Sequence, residues 1–135
     1  MIHNIAHVCI VTRDIAKTAE FYCGLLGLEK KYEFRKKGRC TGMYLDAGRG
    51  TFLEIFERET VPEHDSSIAH FCFQVDDLDL IAEHLEKQGV VTAHKKMGKD
   101  GSWQIWIKDP NGISIELQEY TKNSSQITGE DCFLD

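Results

Sequence analysis

The 135-residue sequence has no long apolar run and no excess of basic residues. Its apolar stretches extend for only a handful of residues, which excludes a transmembrane helix. The first ten residues lack the basic start and apolar core of a secretory signal, so none is expected. A formal net charge of −6 argues against nucleic acid or an anionic membrane as the main partner, because both attract a basic face.

Closely spaced cysteine pairs are also missing. The five cysteines are an odd number and include no CxxC motif. This disfavours a disulfide framework or a cysteine-only zinc site, and we expect reduced thiols in a cytoplasmic protein. With 41% hydrophobic and 28% charged residues, the composition is that of a single compact domain that buries its own core.

The chain repeats itself at an offset of 63 residues. The segment IAHVCI begins at Ile5, and the similar segment IAHFCF begins at Ile68. Asp14 and Asp77 each precede an amphipathic helical pattern that ends at a glycine. An alternating strand pattern with a central glutamate follows in each half, TFLEIFE and then ISIELQE. We therefore interpret the chain as two copies of one unit.

Each unit is predicted to contain a strand, a helix and then two or three further strands, which gives an α+β fold. The units cover about 3–59 and 67–120, joined by a polar linker at 60–67, and 121–135 is expected to form a loosely held tail. The predicted helices cover 15–26 and 78–88. The predicted strands cover 5–11, 28–34, 41–46, 51–57, 68–75, 90–95, 102–108 and 113–119.

One histidine and one glutamate recur at matched places in the two units. Side chains alternate between the faces of a strand, so His7 and His70 lie opposite the apolar residues that suit packing on a helix. Glu54 and Glu116 point the same way if they share a sheet with the histidines.

A lone histidine or glutamate in a strand is usually a satisfied core or solvent-facing residue, but this duplication favours a functional role. An inward carboxylate is costly unless it is paired or binds a metal. Two imidazoles and two carboxylates suit one divalent ion, with Ni, Co, Zn, Mn and Fe all compatible. The predicted metal ligands are His7, Glu54, His70 and Glu116.

Two further features have alternative interpretations. Cys9 and Cys72 share the faces of the histidines, where they either line a pocket or act as small buried hydrophobes. In the strand at 102–108, Trp106 and Gln104 lie on one face and Trp103 on the other. The sequence does not decide which of these faces borders the site.

The repeated unit resembles the βαβββ module of the vicinal oxygen chelate superfamily, which includes glyoxalase I, methylmalonyl-CoA epimerase, extradiol dioxygenases and fosfomycin- or bleomycin-resistance proteins. The resemblance covers about 3–120 and is carried by the histidine of each first strand, by FYCGLLGL and by KDPNGISIELQE. It implies two tandem modules whose curled mixed sheets surround a metal site. His7, Glu54, His70 and Glu116 match the superfamily's four metal-binding positions.

The order His, Glu, His, Glu resembles bacterial glyoxalase I. It implies a divalent-metal-dependent lyase or isomerase that acts on a small α-hydroxycarbonyl or thiohemiacetal through a metal-stabilised enediolate, with Glu116 as the catalytic base. We expect a small-molecule substrate and a homodimer. The alternatives are a ring-cleaving dioxygenase or epimerase, which typically has two histidines and one late glutamate, and a non-catalytic drug-binding resistance protein, which lacks the set.

Two positions differ from glyoxalase I. That enzyme usually has an arginine soon after its first histidine and an asparagine soon after its first glutamate, and both contact glutathione. Here the stretch after His7 is apolar, and the residues after Glu54 include Arg58 but no asparagine. We therefore expect poor use of glutathione.

Overall fold

The computed structural model describes residues 5–61, 68 and 70–134. The chain divides into two compact units, Met1–Asp65 and Ser66–Asp135. Each unit contains a four-stranded mixed sheet and few helices, so the predicted α+β fold with tandem modules is confirmed. Most of the predicted linker lies outside the described residues. Within the described ranges, no helix is both long and apolar enough to cross a membrane.

The first unit has the strand order β1-β4-β3-β2. Strand β1 pairs with β4 in parallel, and the other neighbours are antiparallel. Its elements are β1 (His7–Thr12), α1 (Ile15–Ala19), β2 (Glu29–Lys36), β3 (Arg39–Gly48) and β4 (Thr51–Glu57), with a π-helical segment, Glu20–Leu25, continuing α1.

The second unit repeats this topology with the order β5-β8-β7-β6, in which β5 and β8 are parallel. Its elements are β5 (Phe71–Gln74), α2 (Leu78–Lys87), β6 (Lys96–Met97), β7 (Trp103–Lys108), β8 (Ser114–Glu119) and α3 (Ser125–Thr128).

Equivalent residues begin and end the main helix of each unit. The side chain of Asp14 accepts a hydrogen bond from the backbone N–H of Lys17, and that of Asp77 accepts one from Leu80. These bonds satisfy backbone donors that have no partner within the helix. The chain reverses after each helix at a glycine with positive φ, as the repeated pattern predicts.

The apolar face of each sheet packs beneath its helix and forms the core. Leu53 and Ile55 of β4 are 2% and 0% exposed, and Ile115 and Leu117 of β8 are 0% and 1% exposed. Strand alternation therefore directs the residue between each pair, a glutamate, to the opposite face. Among the residues that the structure describes, the other fully buried large side chains are Tyr22, Leu45, Leu78, Leu85 and Ile105.

Two elements differ from the prediction. The segment 90–95 is not a strand; the regular ladder begins only at β6. The backbone N–H of Val90 is used at the end of α2, where it donates to Leu85, and Ala93 makes a single bond to Trp106. The expected helix at 15–26 changes from α to π geometry at Glu20.

The tail is docked more firmly than expected. Ser124 is fully buried, and the backbone N–H of Ser125 donates to the carbonyl of Asp100 at 2.7 Å. Thr121 donates its hydroxyl to the carbonyl of Gly101 at 2.8 Å. The tail therefore closes over the loop that precedes β7 because its polar groups find partners there, which its sparse apolar pattern does not reveal.

Gly42 provides a test of packing on the face of the first sheet that lies opposite its helix. A Cβ atom built at this position would lie 2.6 Å from the ring of Phe56 and 2.8 Å from the carbonyl oxygen of Ile55. We expect Gly42→Ala to lower the free energy of unfolding by about 1–3 kcal/mol, as overpacking does. Urea denaturation measures this change.

The matched control is Gly24→Ala, where the new Cβ would lie 3.7 Å from Glu20. Because alanine favours helical backbone by up to about 1 kcal/mol over glycine, this variant should be as stable as the parent or more so. Equal stability of the Gly42→Ala and Gly24→Ala variants would contradict the packing described here.

Candidate metal centre

In the first unit, the parallel pairing of β1 with β4 brings a histidine beside a glutamate. Cys9 is the register partner of Glu54, and His7 lies two residues earlier on the same face. The Nε2 atom of His7 is 3.7 Å from Oε2 of Glu54. The structure thus brings together the two residues predicted as metal ligands in this unit.

The second unit has the same arrangement. Cys72 is the register partner of Glu116 in the parallel pair β5–β8, and His70 immediately precedes β5. Nε2 of His70 lies 3.4 Å from Oε2 of Glu116, whose side chain is 11% exposed. Each unit therefore holds one His–Glu pair on the sheet face opposite its helix.

An aromatic side chain accompanies each pair. Tyr44 of β3 is the register partner of Glu54, and its hydroxyl lies 3.2 Å from Nδ1 of His7. Trp106 of β7 is the register partner of Glu116, and its ring meets that of His70 edge-on at 4.6 Å. The face of Trp106 is thus the one that borders the second pair, an alternative that the sequence left open. Tyr44 was not predicted.

The first sheet surrounds Tyr44 with further aromatic rings. Tyr32 and Phe52 stack on it with centroids 4.8 Å away on each side. Phe34 contacts it edge-on and also packs against Phe56. The face that carries His7 and Glu54 is consequently aromatic, and Tyr32 is 47% exposed.

In the second unit, polar side chains extend from Glu116 to the tail. Gln118 donates through Nε2 to Glu116 at 3.4 Å and to Asp100 at 3.1 Å. Gln126 of α3 donates to the same Asp100 carboxylate at 2.6 Å. Burial opposes the charge of Asp100, but hydrogen bonds from Gln126 and Ser102 outweigh it and lower the pKa of Asp100. The tail thus supports the amide that holds Glu116.

A cavity of about 360 Å³ opens beside this network. Gln104, which lies on the face of Glu116, lines it together with Lys96, Asp100 and Cys132. Its lining combines cationic, anionic and neutral polar groups, and its volume lies at the small end of the range of ligand pockets.

The two cysteines beside the pairs are thiols rather than thiolates. Partial burial raises the pKa of Cys9 to about 11, and Glu54 adds to the shift. Burial also raises the pKa of Cys72 to about 12, with a further contribution from the charge of Glu116. Both are therefore protonated near neutral pH in the metal-free protein. The imidazole nitrogen and carboxylate oxygen of each pair are the donors that recur at matched positions in the two units.

Those donors fit a divalent transition metal. Two ligands about 2.1 Å from one ion, at an angle of about 90–110°, lie about 3.0–3.4 Å apart, close to the observed 3.4 and 3.7 Å. Across the described residues, no group of three or more histidine, cysteine, aspartate or glutamate side chains gathers as a complete metal site. Each unit thus presents two of the four predicted ligands.

Known proteins are similar to this chain in sequence and in fold. The probable lactoylglutathione lyase of Vibrio cholerae is 28% identical over 128 residues, which cover 85% of this chain and 89% of that protein. The glutathione transferase FosA of Serratia marcescens is 28% identical over 121 residues, 87% of this chain and 81% of its own length. A glyoxalase family protein from Enterococcus faecalis superimposes with a TM-score of 0.73 at 27% identity, covering 86% of this chain and 97% of that chain.

Residues 4–117 match the model of the Glyoxalase/Bleomycin resistance protein/Dioxygenase superfamily. That match spans both units, including both His–Glu pairs. The chain belongs to this superfamily, as the sequence resemblance predicts.

Proposed function

We propose that this protein is a divalent-metal-dependent, glyoxalase-like lyase or isomerase that acts on a small α-hydroxycarbonyl compound or thiohemiacetal. The observation that carries the proposal is the duplicated His–Glu pair, with imidazole and carboxylate 3.7 Å apart in one unit and 3.4 Å apart in the other. Its relatives include proteins named as a lactoylglutathione lyase and a glutathione transferase.

In this proposal, His7, Glu54, His70 and Glu116 supply the ligands of one ion, drawn from Ni, Co, Zn, Mn and Fe. The pairs come either from one chain or from two copies in a homodimer. When bound, the ion supplies Lewis-acid stabilisation of negative charge on substrate oxygens, an effect worth several kcal/mol.

Glu116 is the proposed catalytic base, which removes a proton from the carbon next to the substrate carbonyl. Its carboxylate is nearly buried, and the amide of Gln118 donates to Oε1 at 3.4 Å, which directs Oε2 towards His70. A carboxylate held in this way contributes about 10²–10⁴-fold to the rate of proton transfer. The first unit has Phe56 two positions after Glu54, where the second has Gln118, and a phenyl ring offers no such donor.

A second candidate function is the non-catalytic binding of an aromatic, drug-like molecule. The partly exposed rings of Tyr32 and Phe34 favour it, because aromatic faces bind planar ligands by stacking. This function would require tight ligand uptake without turnover by the parent protein.

The metal is tested first. Replacing either His7 or His70 with alanine should weaken binding of Ni²⁺ or Zn²⁺ by more than about 100-fold, since loss of a residue that merely orients a ligand costs about 10–100-fold. Equilibrium dialysis with metal analysis measures the affinity. His94→Ala is the matched control, because His94 is exposed and remote in sequence from both pairs, and it should bind as the parent does. Unchanged metal content in the His7→Ala/His70→Ala double variant would reject the ligand assignment.

The role of Glu116 is tested by comparing two amide variants under metal saturation. Because an amide cannot accept the substrate proton, Glu116→Gln should lower kcat by about 10²–10⁴-fold and change KM far less. Glu54→Gln, which changes the equivalent residue of the other pair, should lower kcat less. Steady-state kinetics with metal content measured in parallel separates the two. An equal loss in both variants would show that Glu116 acts only as a ligand.

Specificity is tested with a panel of thiols. Val8 and Ile10 follow His7 where glutathione contacts are expected, and Ile10 is 3% exposed within the core. Missing charge-assisted contacts remove binding energy from the remote part of the substrate. We expect kcat/KM for the glutathione adduct of methylglyoxal to lie well below about 10⁶ M⁻¹s⁻¹ and below that of another thiol adduct. Values at or above that level with glutathione would contradict this interpretation of the pocket.

A further inference from the structure

We propose that Tyr44 is a positioning residue of the metal centre, whose hydroxyl oxygen accepts a hydrogen bond from Nδ1–H of His7 and so leaves Nε2 free to bind the ion. The two atoms are 3.2 Å apart, and the family match and the sequence pattern assign no role to Tyr44. This inference rests on the proposed function, since it concerns the same metal site.

The two nitrogens of His7 face different partners. Nδ1 faces the hydroxyl of Tyr44, and Nε2 faces the carboxylate of Glu54 at 3.7 Å. A neutral imidazole carries one proton, and the nitrogen that binds a metal must present its lone pair. If Nδ1 donates its proton to Tyr44, Nε2 is unprotonated and its lone pair faces the carboxylate of Glu54. This arrangement is favourable when a cation lies between the two groups. The other tautomer would direct an N–H at Glu54 and block the ion.

The hydroxyl of Tyr44 is held in place by its neighbours. The ring is stacked between Tyr32 and Phe52, each with its centroid 4.8 Å away and with interplanar angles of 17° and 27°. The hydroxyl oxygen of Tyr44 is therefore a fixed hydrogen-bond acceptor for Nδ1 of His7.

The second unit has no equivalent of this hydrogen bond at the matching position. Trp106 stands there, and its indole N–H donates to Gln104 at 2.9 Å. An indole has no acceptor to offer an imidazole. Trp106 therefore contacts the ring of His70 edge-on, and among the described residues the position that matches Tyr44 offers His70 no hydrogen-bond acceptor.

The experiment compares Tyr44→Phe with Tyr32→Phe. Each removes one hydroxyl from the same aromatic stack, but that of Tyr32 is not within hydrogen-bonding distance of His7 in the described structure. Tyr44→Phe should weaken Zn²⁺ binding by about 10–100-fold, the usual effect of losing a partner of a metal-bound histidine. Tyr32→Phe should bind Zn²⁺ like the parent. Competition with a chromogenic chelator measures both affinities.

A second readout follows the histidine directly. In the zinc-loaded parent, nitrogen-15 NMR should show His7 protonated at Nδ1, with that proton protected from solvent exchange. Tyr44→Phe should lose the protection at His7 and leave the signals of His70 unchanged. The metal-free Tyr44→Phe and Tyr32→Phe variants should unfold at the same temperature as each other, which separates a positioning role of Tyr44 from a general loss of structure.

The outcomes distinguish the role of Tyr44 from the proposed function on which it rests. If the parent binds no zinc, the proposed function fails and the role of Tyr44 fails with it. If the parent binds zinc through His7 and Tyr44→Phe binds it equally well, only the role assigned to Tyr44 is overturned.

Discussion

The candidate site depends on one constraint, the parallel pairing of the first strand of each unit with its last. His7 and Glu54 are distant in sequence, as are His70 and Glu116, and only the pairs β1–β4 and β5–β8 bring them together. The register matters as much as the pairing, because a slip of one residue in β4 or β8 would turn the glutamate into the core. The buried residues on either side of each glutamate prevent that slip, since their apolar side chains would then face solvent.

Because each helix covers the apolar face of its sheet, the other face is left for polar and aromatic groups. The two units use that face differently. In the first unit it carries stacked rings around Tyr44, and in the second it carries the amides of Gln104 and Gln118 and a tail anchored at Asp100. One His–Glu pair thus lies in an aromatic environment and the other in a hydrogen-bonded one.

Much of this arrangement was predictable, because duplication and alternation are both local signals. Side chains alternate between the two faces of a strand, which predicts that His7 shares a face with Cys9 and that Glu54 lies between two apolar neighbours. The recurrence of this pattern in the second unit favoured a functional role. Tyr44 escaped prediction for a physical reason. The hairpin that joins β3 to β4 contains an irregularity between Asp46 and Gly48, and counting back evenly from its turn would place Leu45, not Tyr44, opposite Glu54.

The second unit shows the other limit of prediction from sequence. The segment 90–95 has apolar residues compatible with a strand, but the end of α2 takes the backbone N–H of Val90, and the ladder starts later. The tail is anchored through Thr121, Ser125 and Gln126 rather than through apolar periodicity. Contacts of this kind depend on tertiary placement, which no local pattern encodes.

The central claim is that two histidines and two carboxylates bind one divalent ion, and X-ray absorption spectroscopy of the nickel- or cobalt-loaded protein tests it most directly. We expect a first shell of nitrogen and oxygen at about 2.0–2.2 Å, with the outer scattering of two imidazoles and no sulfur, because the proposed ligands are His7, Glu54, His70 and Glu116. A sulfur shell near about 2.3 Å, or a spectrum without imidazole scattering, would contradict it.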